Sequence, residues 1–206
     1  CPIERLVEDG QGMSLRQLLK KPIFAAAIIL MICAGASEMS MAQWASAFAE
    51  SALGLTKSVG DLAGACLFAT TMGISRMLYG KFGEKIDLIK FMLISGVICV
   101  VSYLLAGLSA MPIWGLVGCV MCGFSVGIMW PGSISITAPR IPKGGTALFA
   151  LLAMAGDMGG AFGPSVVGYF SQHAGDNLQA GLLTGCIFPL IMLATLIAMK
   201  KMTPEG

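Results

Sequence analysis

Six long apolar runs divide the chain, and short polar segments separate them. A hydrocarbon core of about 30 Å needs about 20 apolar residues at about 1.5 Å rise, and there only helices satisfy their own backbone groups. The pattern therefore predicts an all-α membrane protein, a six-transmembrane-helix bundle, with residues 1–21 as a cytoplasmic linker and residues 22–206 as the bundle. The predicted spans are 23–48, 59–78, 88–108, 113–138, 147–171 and 180–199.

The positive charges follow the same alternation. Of the 13 Lys and Arg residues, all but Lys57 precede the first run or lie around the segments that follow the second, fourth and sixth runs. These four places share one side of a membrane if the runs are spans. By the positive-inside rule, we expect a multi-pass protein of the cell (inner) membrane with both termini in the cytoplasm.

Composition narrows the class further. Hydrophobic residues make up 56% of the 206 residues and charged residues 12%, about half of the charged fraction of soluble domains. We expect the lipid bilayer as a partner and no nucleic acid, because topology explains the positive residues. No cofactor is indicated. Cys119 and Cys122 have CxxC spacing, but they lie within one span, and there is no second cysteine pair or clustered His. This favours a role in packing over a metal or redox site.

The first residues of the chain indicate an upstream segment. The chain begins with Cys1, and residues 1–21 mix charged residues with glycines. Such a composition is typical of a linker. We therefore expect a missing N-terminal part.

Two carboxylates lie deep in the apolar runs. Glu38 and Asp157 fall within about 4 Å of the centres of their spans when residues are counted at about 1.5 Å each. A charge at this depth costs at least about 2.5 kcal/mol on insertion scales, so it faces a partner or a wet cavity. We expect both to bind substrate or a coupling proton, and the alternative is a carboxyl group that only stabilises helix packing.

Nearby side chains extend this candidate site. Asp157 shares a helix face with small residues that follow at offsets of three, four and seven, so we expect it to point into the bundle. Gln43 and Trp44 lie about 140° and 120° away from Glu38 around an ideal helix, so the three share a cavity only if that helix distorts. The indoles of Trp44 and Trp130 are suited to stack on a ring-shaped substrate, and interfacial or core positions are the alternative.

Two prolines interrupt the apolar runs. Pro131 lies in the inner half of the fourth run and Pro164 in the outer half of the fifth. Each removes a backbone hydrogen bond from its helix. We therefore predict a helix break or kink at both sites, which suits a moving bundle but also occurs in static membrane proteins.

Three segments carry a family resemblance: residues 35–44 with Glu38 and Trp44, residues 76–85, and the Gly- and Pro-containing residues 156–164. They resemble the C-terminal half of major facilitator superfamily transporters, in particular fucose-permease-like and sugar-porter-like members. The resemblance implies helices seven to twelve of a twelve-helix fold, arranged as a 3+3 inverted repeat. It also implies an N-terminal six-helix half of the same protein as the missing partner.

The second of these segments matches the cytoplasmic loop signature of the family in part. Lys81, Gly83 and Lys85 agree with its basic and glycine positions, whereas Arg76 occupies a glycine position and Gly80 an aspartate position. The resemblance implies a gating loop that contains Arg76, Lys81, Gly83 and Lys85. A solvated turn is the alternative.

These features together predict secondary active transport of a small polar solute such as a sugar, coupled to protons, by alternating access. The alternative within the class is efflux of an amphipathic compound. Outside the class, a non-transporting membrane scaffold or receptor is the alternative. An enzyme is not expected, because the single histidine, His173, lies outside the predicted spans and Asp157 is the only aspartate at membrane depth.

Overall fold

The computed structural model describes residues 13–83 and 86–202, and the elements it contains there are helical. Within these residues, six segments are long and apolar enough to cross a membrane, in agreement with the hydrophobic pattern. We refer to them in chain order as the first to sixth spans. They are Pro22–Glu50, Lys57–Phe82, Leu88–Leu108, Pro112–Arg140, Gly145–His173 and Leu178–Met202.

The fourth and sixth spans each consist of two helices. A short helix, α1, precedes the first span and lies within the predicted linker, of which residues 1–12 fall outside the described residues. The α-helices of the described residues are α1 Leu15–Leu19, α2 Pro22–Leu53, α3 Lys57–Phe82, α4 Leu88–Leu108, α5 Pro112–Val126, α6 Met129–Thr137, α7 Gly145–His173, α8 Leu178–Gly185 and α9 Ile187–Met202, with a 3-10 turn at Ala138–Arg140.

Local signals in the sequence explain where the helices begin and end. Pro22 opens the first turn of α2, where its missing N–H costs nothing. Gly54 ends that helix with a φ of 62°, a left-handed conformation that glycine adopts without strain. Asp87 caps α4 by accepting a hydrogen bond of 3.1 Å from the backbone N–H of Lys90.

The closest helix packing joins α2 and α7, which share the most extensive contact of the described helices. A Cβ atom built on Gly159 would lie 2.8 Å from the Cα of Ile32, and one built on Gly163 would lie 2.7 Å from the Cα of Ala36. Only glycine permits backbones to approach so closely. We call this contact the glycine seam. It joins the first three spans to the last three, because α2 belongs to one repeat and α7 to the other.

The core between the third and fourth spans is rich in sulfur. The Sγ atoms of Cys99 and Cys122 lie 3.8 Å apart, and Cys119 is also buried. Tyr103 is fully buried beside them, and its hydroxyl donates a hydrogen bond of 2.8 Å to the carbonyl of Ser37 in α2. The two CxxC cysteines therefore lie in the packed interior of the bundle.

Helical hydrogen bonding in the fourth span is interrupted at Gly127 and Ile128, although both residues keep right-handed backbone angles. Pro131 has no N–H to donate to the carbonyl four residues earlier, which belongs to Gly127. The sixth span is interrupted in the same way at Cys186, three residues before Pro189. The hydrophobic pattern did not predict this second break, although the proline is its sequence signal.

The fifth span behaves differently at its proline. α7 runs from Gly145 to His173 without a break at Pro164, so the predicted helix break at this proline is wrong, while a kink there stays a prediction. The residues on either side are held by packing, since Gly163 lies against α2 and Val167 is fully buried. These contacts maintain the helix in spite of the one missing hydrogen bond.

Candidate functional site

A cavity of about 420 Å³ lies where α2, α6 and α7 meet. Three of the residues predicted from the sequence, Glu38, Trp130 and Asp157, line this cavity together. Each comes from a different span, so the bundle brings two carboxylates and an indole to one place. The other lining residues are Gly35, Met39, Gly156, Gly160 and Ala161.

Glycines on both helices determine the shape of this central cavity. A Cβ atom on Gly156 would lie 2.5 Å from Cζ2 of Trp130, so the indole packs directly on the backbone of α7. A Cβ atom on Gly35 would collide with the carbonyl oxygen of Gly156 and lie 3.0 Å from the amide nitrogen of Gly160. Larger residues at these positions would displace the indole or separate the helices.

Glu38 lies in the wall of the cavity with 17% of its side chain exposed, and its Oε1 is 4.0 Å from Nη2 of Arg76. Its other oxygen, Oε2, is buried and has no hydrogen-bond partner among the described residues. The guanidinium offsets part of the cost of holding a carboxylate at this depth. The free oxygen can accept a proton or a hydrogen bond from a bound molecule.

Arg76 connects three spans. It lies within α3, and its Nε donates a hydrogen bond of 3.3 Å to the carbonyl of Gly127 while Nη2 approaches Glu38. That carbonyl is the one that Pro131 leaves without a helical donor. The prediction that Arg76 belongs to a gating loop is wrong, because α3 continues to Phe82. The sequence signal for its contact with Glu38 is its place directly after an uncharged, mostly apolar stretch.

Asp157 lies on α7 at the rim of the cavity, and its side chain is exposed. Asp157 lines the cavity together with Gly160 and Ala161, the small residues that are predicted to share its face, but it does not lie in the packed interior. Gly156 and Gly159 occupy the face of α7 that packs against α2, and Asp157 is offset from that face. Within residues 13–83 and 86–202, no Lys or Arg forms an ion pair with Asp157.

Gln43 and Trp44 do not line the cavity. Gln43 is exposed, and Trp44 packs half-buried against the main core with its Nε1 buried and without a hydrogen-bond partner in the described part of the chain. α2 is unbroken from Pro22 to Leu53. It therefore lacks the distortion that would bring these two residues to the same face as Glu38.

The other residues of the predicted gating loop lie at the end of α3 or beyond it. Lys81 is in the last turn of α3, and its Nζ lies 5.4 Å from the ring centroid of Phe82. Gly83 is the C-cap, and its N–H donates to the carbonyl of Tyr79. Lys85 lies outside the described residues. Among the described members of this set, only Arg76 contacts a residue of the cavity.

An exposed ion pair lies at the start of α4. Nζ of Lys90 is 3.1 Å from Oδ2 of Asp87. The backbone hydrogen bond from Lys90 and this side-chain contact hold the pKa of Asp87 below its ordinary value, with the backbone hydrogen bond as the largest cause. The pair is confined to one helical turn, so it caps α4 and does not connect separate spans.

Known proteins resemble most of this chain. The sequence model of the Major Facilitator Superfamily matches residues 26–205. Two curated proteins from Streptococcus pneumoniae, the multi-drug resistance efflux pumps PmrA of strains TIGR4 and R6, are each 27% identical over 159 residues. The matched region covers 72% of this chain and 39% of each pump, so the chain spans about two fifths of the length of these relatives.

Proposed function

The chain belongs to the Major Facilitator Superfamily, and we propose that it is the C-terminal six-helix half of a secondary transporter that couples solute movement to protons by alternating access. The observation that carries this proposal is the convergence of Glu38, Trp130 and Asp157 on one cavity. In an inverted-repeat transporter, such a site lies between two bundles that rock around it. The missing N-terminal half would supply the opposite wall.

Glu38 is the residue we assign to the coupling proton. Its carboxylate lies beside Arg76 and presents one oxygen that has no hydrogen-bond partner among the described residues. Protonation removes the attraction between the carboxylate and the guanidinium. Arg76 then retains the carbonyl of Gly127, so a proton on Glu38 weakens the contact of the first span with the second without releasing the second span from the fourth.

The substrate we favour is a small polar solute such as a sugar. Asp157 accepts hydrogen bonds from hydroxyl groups, and the face of Trp130 provides a surface for an apolar ring face. A volume of about 420 Å³ on this half alone accommodates a small molecule. Both carboxylates lie within reach of one such ligand because they line the same cavity.

Efflux of an amphipathic compound is the second candidate, and two observations favour it. The relatives from Streptococcus pneumoniae are named as multi-drug efflux pumps. Much of the cavity wall is apolar, with Met39, Trp130 and Ala161 among its residues. A flexible methionine next to an aromatic ring suits ligands of varied shape.

We also propose a cell (inner) membrane location with both termini in the cytoplasm. The described positive residues cluster at the ends of the spans that this orientation assigns to the inside. Lys57, at the start of α3, is at the other side.

The test of the proton-coupling proposal is the Glu38→Gln variant of the full-length protein in energised vesicles. We expect loss of proton-driven accumulation with retained exchange of substrate across the membrane, because glutamine keeps the shape of the side chain but cannot titrate. Glu50→Gln is the matched control, since Glu50 lies on the same helix and is exposed. Normal accumulation and proton flux in Glu38→Gln would contradict the assignment.

The two substrate classes require a separate measurement. Labelled monosaccharides and a fluorescent amphipathic dye can be compared by transport and by protection of the full-length protein against thermal unfolding. We expect protection and inward transport with a sugar, both weakened in Asp157→Asn. Outward transport of the dye without any protection by sugars would favour efflux instead.

A further inference from the structure

A second cavity, of about 330 Å³, lies at the end of the bundle where the first span begins and the fourth and sixth spans end. It is separate from the central cavity and shares no residue with it. Its lining residues are Lys20, Lys21, Pro22, Ile23, Arg140 and Met202. We call it the basic cavity.

The described residues that line the basic cavity include basic side chains. Lys20, Lys21 and Arg140 line it, and none of the described residues that line it is acidic. Lys20 and Lys21 are exposed, and no carboxylate of residues 13–83 and 86–202 lies within ion-pair distance of either. The ammonium groups of Lys20 and Lys21 at one concave surface attract an anion.

The backbone of α2 adds positive electrostatic potential to the basic cavity. Lys21 is the N-cap of this 32-residue helix, and no side chain caps the first turn, which also contains no acidic residue. The first N–H groups of a helix and its macrodipole favour a negative group. Pro22 and Ile23 form part of the cavity wall, so the positive end of α2 opens into the basic cavity.

The apolar part of the wall indicates the kind of anion. Ile23 and Met202 line the cavity beside the charges, and both belong to spans that enter the hydrocarbon region. A soluble anion makes no use of such a surface. A phospholipid presents a phosphate to the cations and its glycerol and upper acyl chain to the apolar side chains.

We propose that the basic cavity binds the phosphate group of an anionic phospholipid in the leaflet at this end of the bundle. Basic cavities between membrane helices on the inner side are suited to anionic headgroups. The positive-inside rule accounts for cations near this surface, but it does not require Lys20 and Lys21 to line a cavity at the uncapped start of α2. A bound headgroup would hold together the ends of the first, fourth and sixth spans.

The test uses the full-length protein in a neutral detergent, with phosphatidylglycerol, phosphatidylcholine and inorganic phosphate as separate probes. Affinity is measured from the shift of the thermal unfolding midpoint with probe concentration. We expect phosphatidylglycerol to stabilise the protein, and the double variant Lys20→Gln, Lys21→Gln to weaken its binding about fivefold for each lysine. Lys20→Arg, Lys21→Arg should retain binding, and Lys57→Gln, at the other end of the bundle, should behave as the wild type.

Three results would overturn the proposal. The first is an unchanged affinity for phosphatidylglycerol in the double Gln variant, and the second is equal stabilisation by phosphatidylcholine. The third is stabilisation by inorganic phosphate that equals the stabilisation by phosphatidylglycerol at the same concentration. The last result would assign the cavity to a soluble anion. Unfolding midpoints without any probe establish that each variant is folded before affinities are compared.

Discussion

Replacement of Gly159 by alanine tests the glycine seam between α2 and α7. A Cβ atom at this position would collide with the carbonyl of Ile32 and lie 2.8 Å from its Cα, whereas carbon atoms in contact prefer about 3.5–4.0 Å. The neighbouring atoms belong to the backbone, so no rotamer change relieves the collision. The two helices must therefore move apart by about 1 Å.

The expected magnitude is a balance of two terms. Overpacking of this kind costs up to about 3 kcal/mol, and alanine improves helix propensity over glycine by about 1 kcal/mol. Gly159→Ala should therefore lower the free energy of unfolding by about 2 kcal/mol. Gly168 provides the matched control, because it lies in the same helix and a Cβ there would have no neighbour within 4 Å. Gly168→Ala should raise the free energy of unfolding by up to about 1 kcal/mol.

The measurement is reversible unfolding of the full-length protein and both variants in mixed micelles with increasing SDS. A difference of about 3 kcal/mol between the variants is expected from the two terms above. Equal stabilities of Gly159→Ala and Gly168→Ala would refute the reasoning. Such a result would mean that α2 and α7 separate without cost and that the seam does not fix the cavity.

Further predictions concern the Arg76 connections and the cap of α4. A double-mutant cycle with Arg76→Gln and Glu38→Gln, read by the same unfolding assay, should give a coupling energy of about 0.5–1 kcal/mol because Arg76 is partly screened by solvent, and zero coupling would exclude an ion pair. Pro131→Ala restores a donor for the carbonyl of Gly127, so Arg76→Gln should cost about 1 kcal/mol less in that background. The lowered pKa of Asp87 implies a stabilising contribution that is present above its ordinary value of 3.8 and is lost as the pH falls through the folded value. Asp87→Asn should abolish this pH dependence of the thermal unfolding midpoint. The same fall of the midpoint at acid pH in Asp87→Asn and in the wild type would argue against it.

The number and order of the spans follow from hydropathy because each span is a long apolar run. The ends of the spans do not follow from hydropathy. The apolar pattern predicts that the second span ends at Leu78, but α3 continues to Phe82, since Arg76 and Lys81 extend from a helix on long side chains as readily as from a loop. The apolar pattern does not predict the break at Cys186, because Pro189 lies in a strongly apolar run where hydropathy gives no sign of an interruption.

The sequence predicts one part of the candidate site and not the other. Depth in the apolar runs is visible in a sequence, so Glu38 and Asp157 could be chosen from the cost of a buried charge. The direction in which a side chain points depends on helix rotation and on the neighbours. The sequence does not rank Trp44 and Trp130 for this reason, because only the packing of the helices places Trp130 in the cavity and Trp44 against the main core. The contact of Arg76 with Gly127 joins residues 51 positions apart, which no local pattern encodes.

The interruption of the fourth span has a mechanical consequence for the cavity. A continuous helix transmits rotation along its length, because hydrogen bonds tie each turn to the next. At Gly127 the carbonyl has no helical donor because Pro131 lacks an N–H, and Trp130 is the second residue of the helix that follows. The segment that carries the indole is therefore joined to α5 and to the sulfur-rich core around Cys122 by a weaker backbone connection than an unbroken helix would provide.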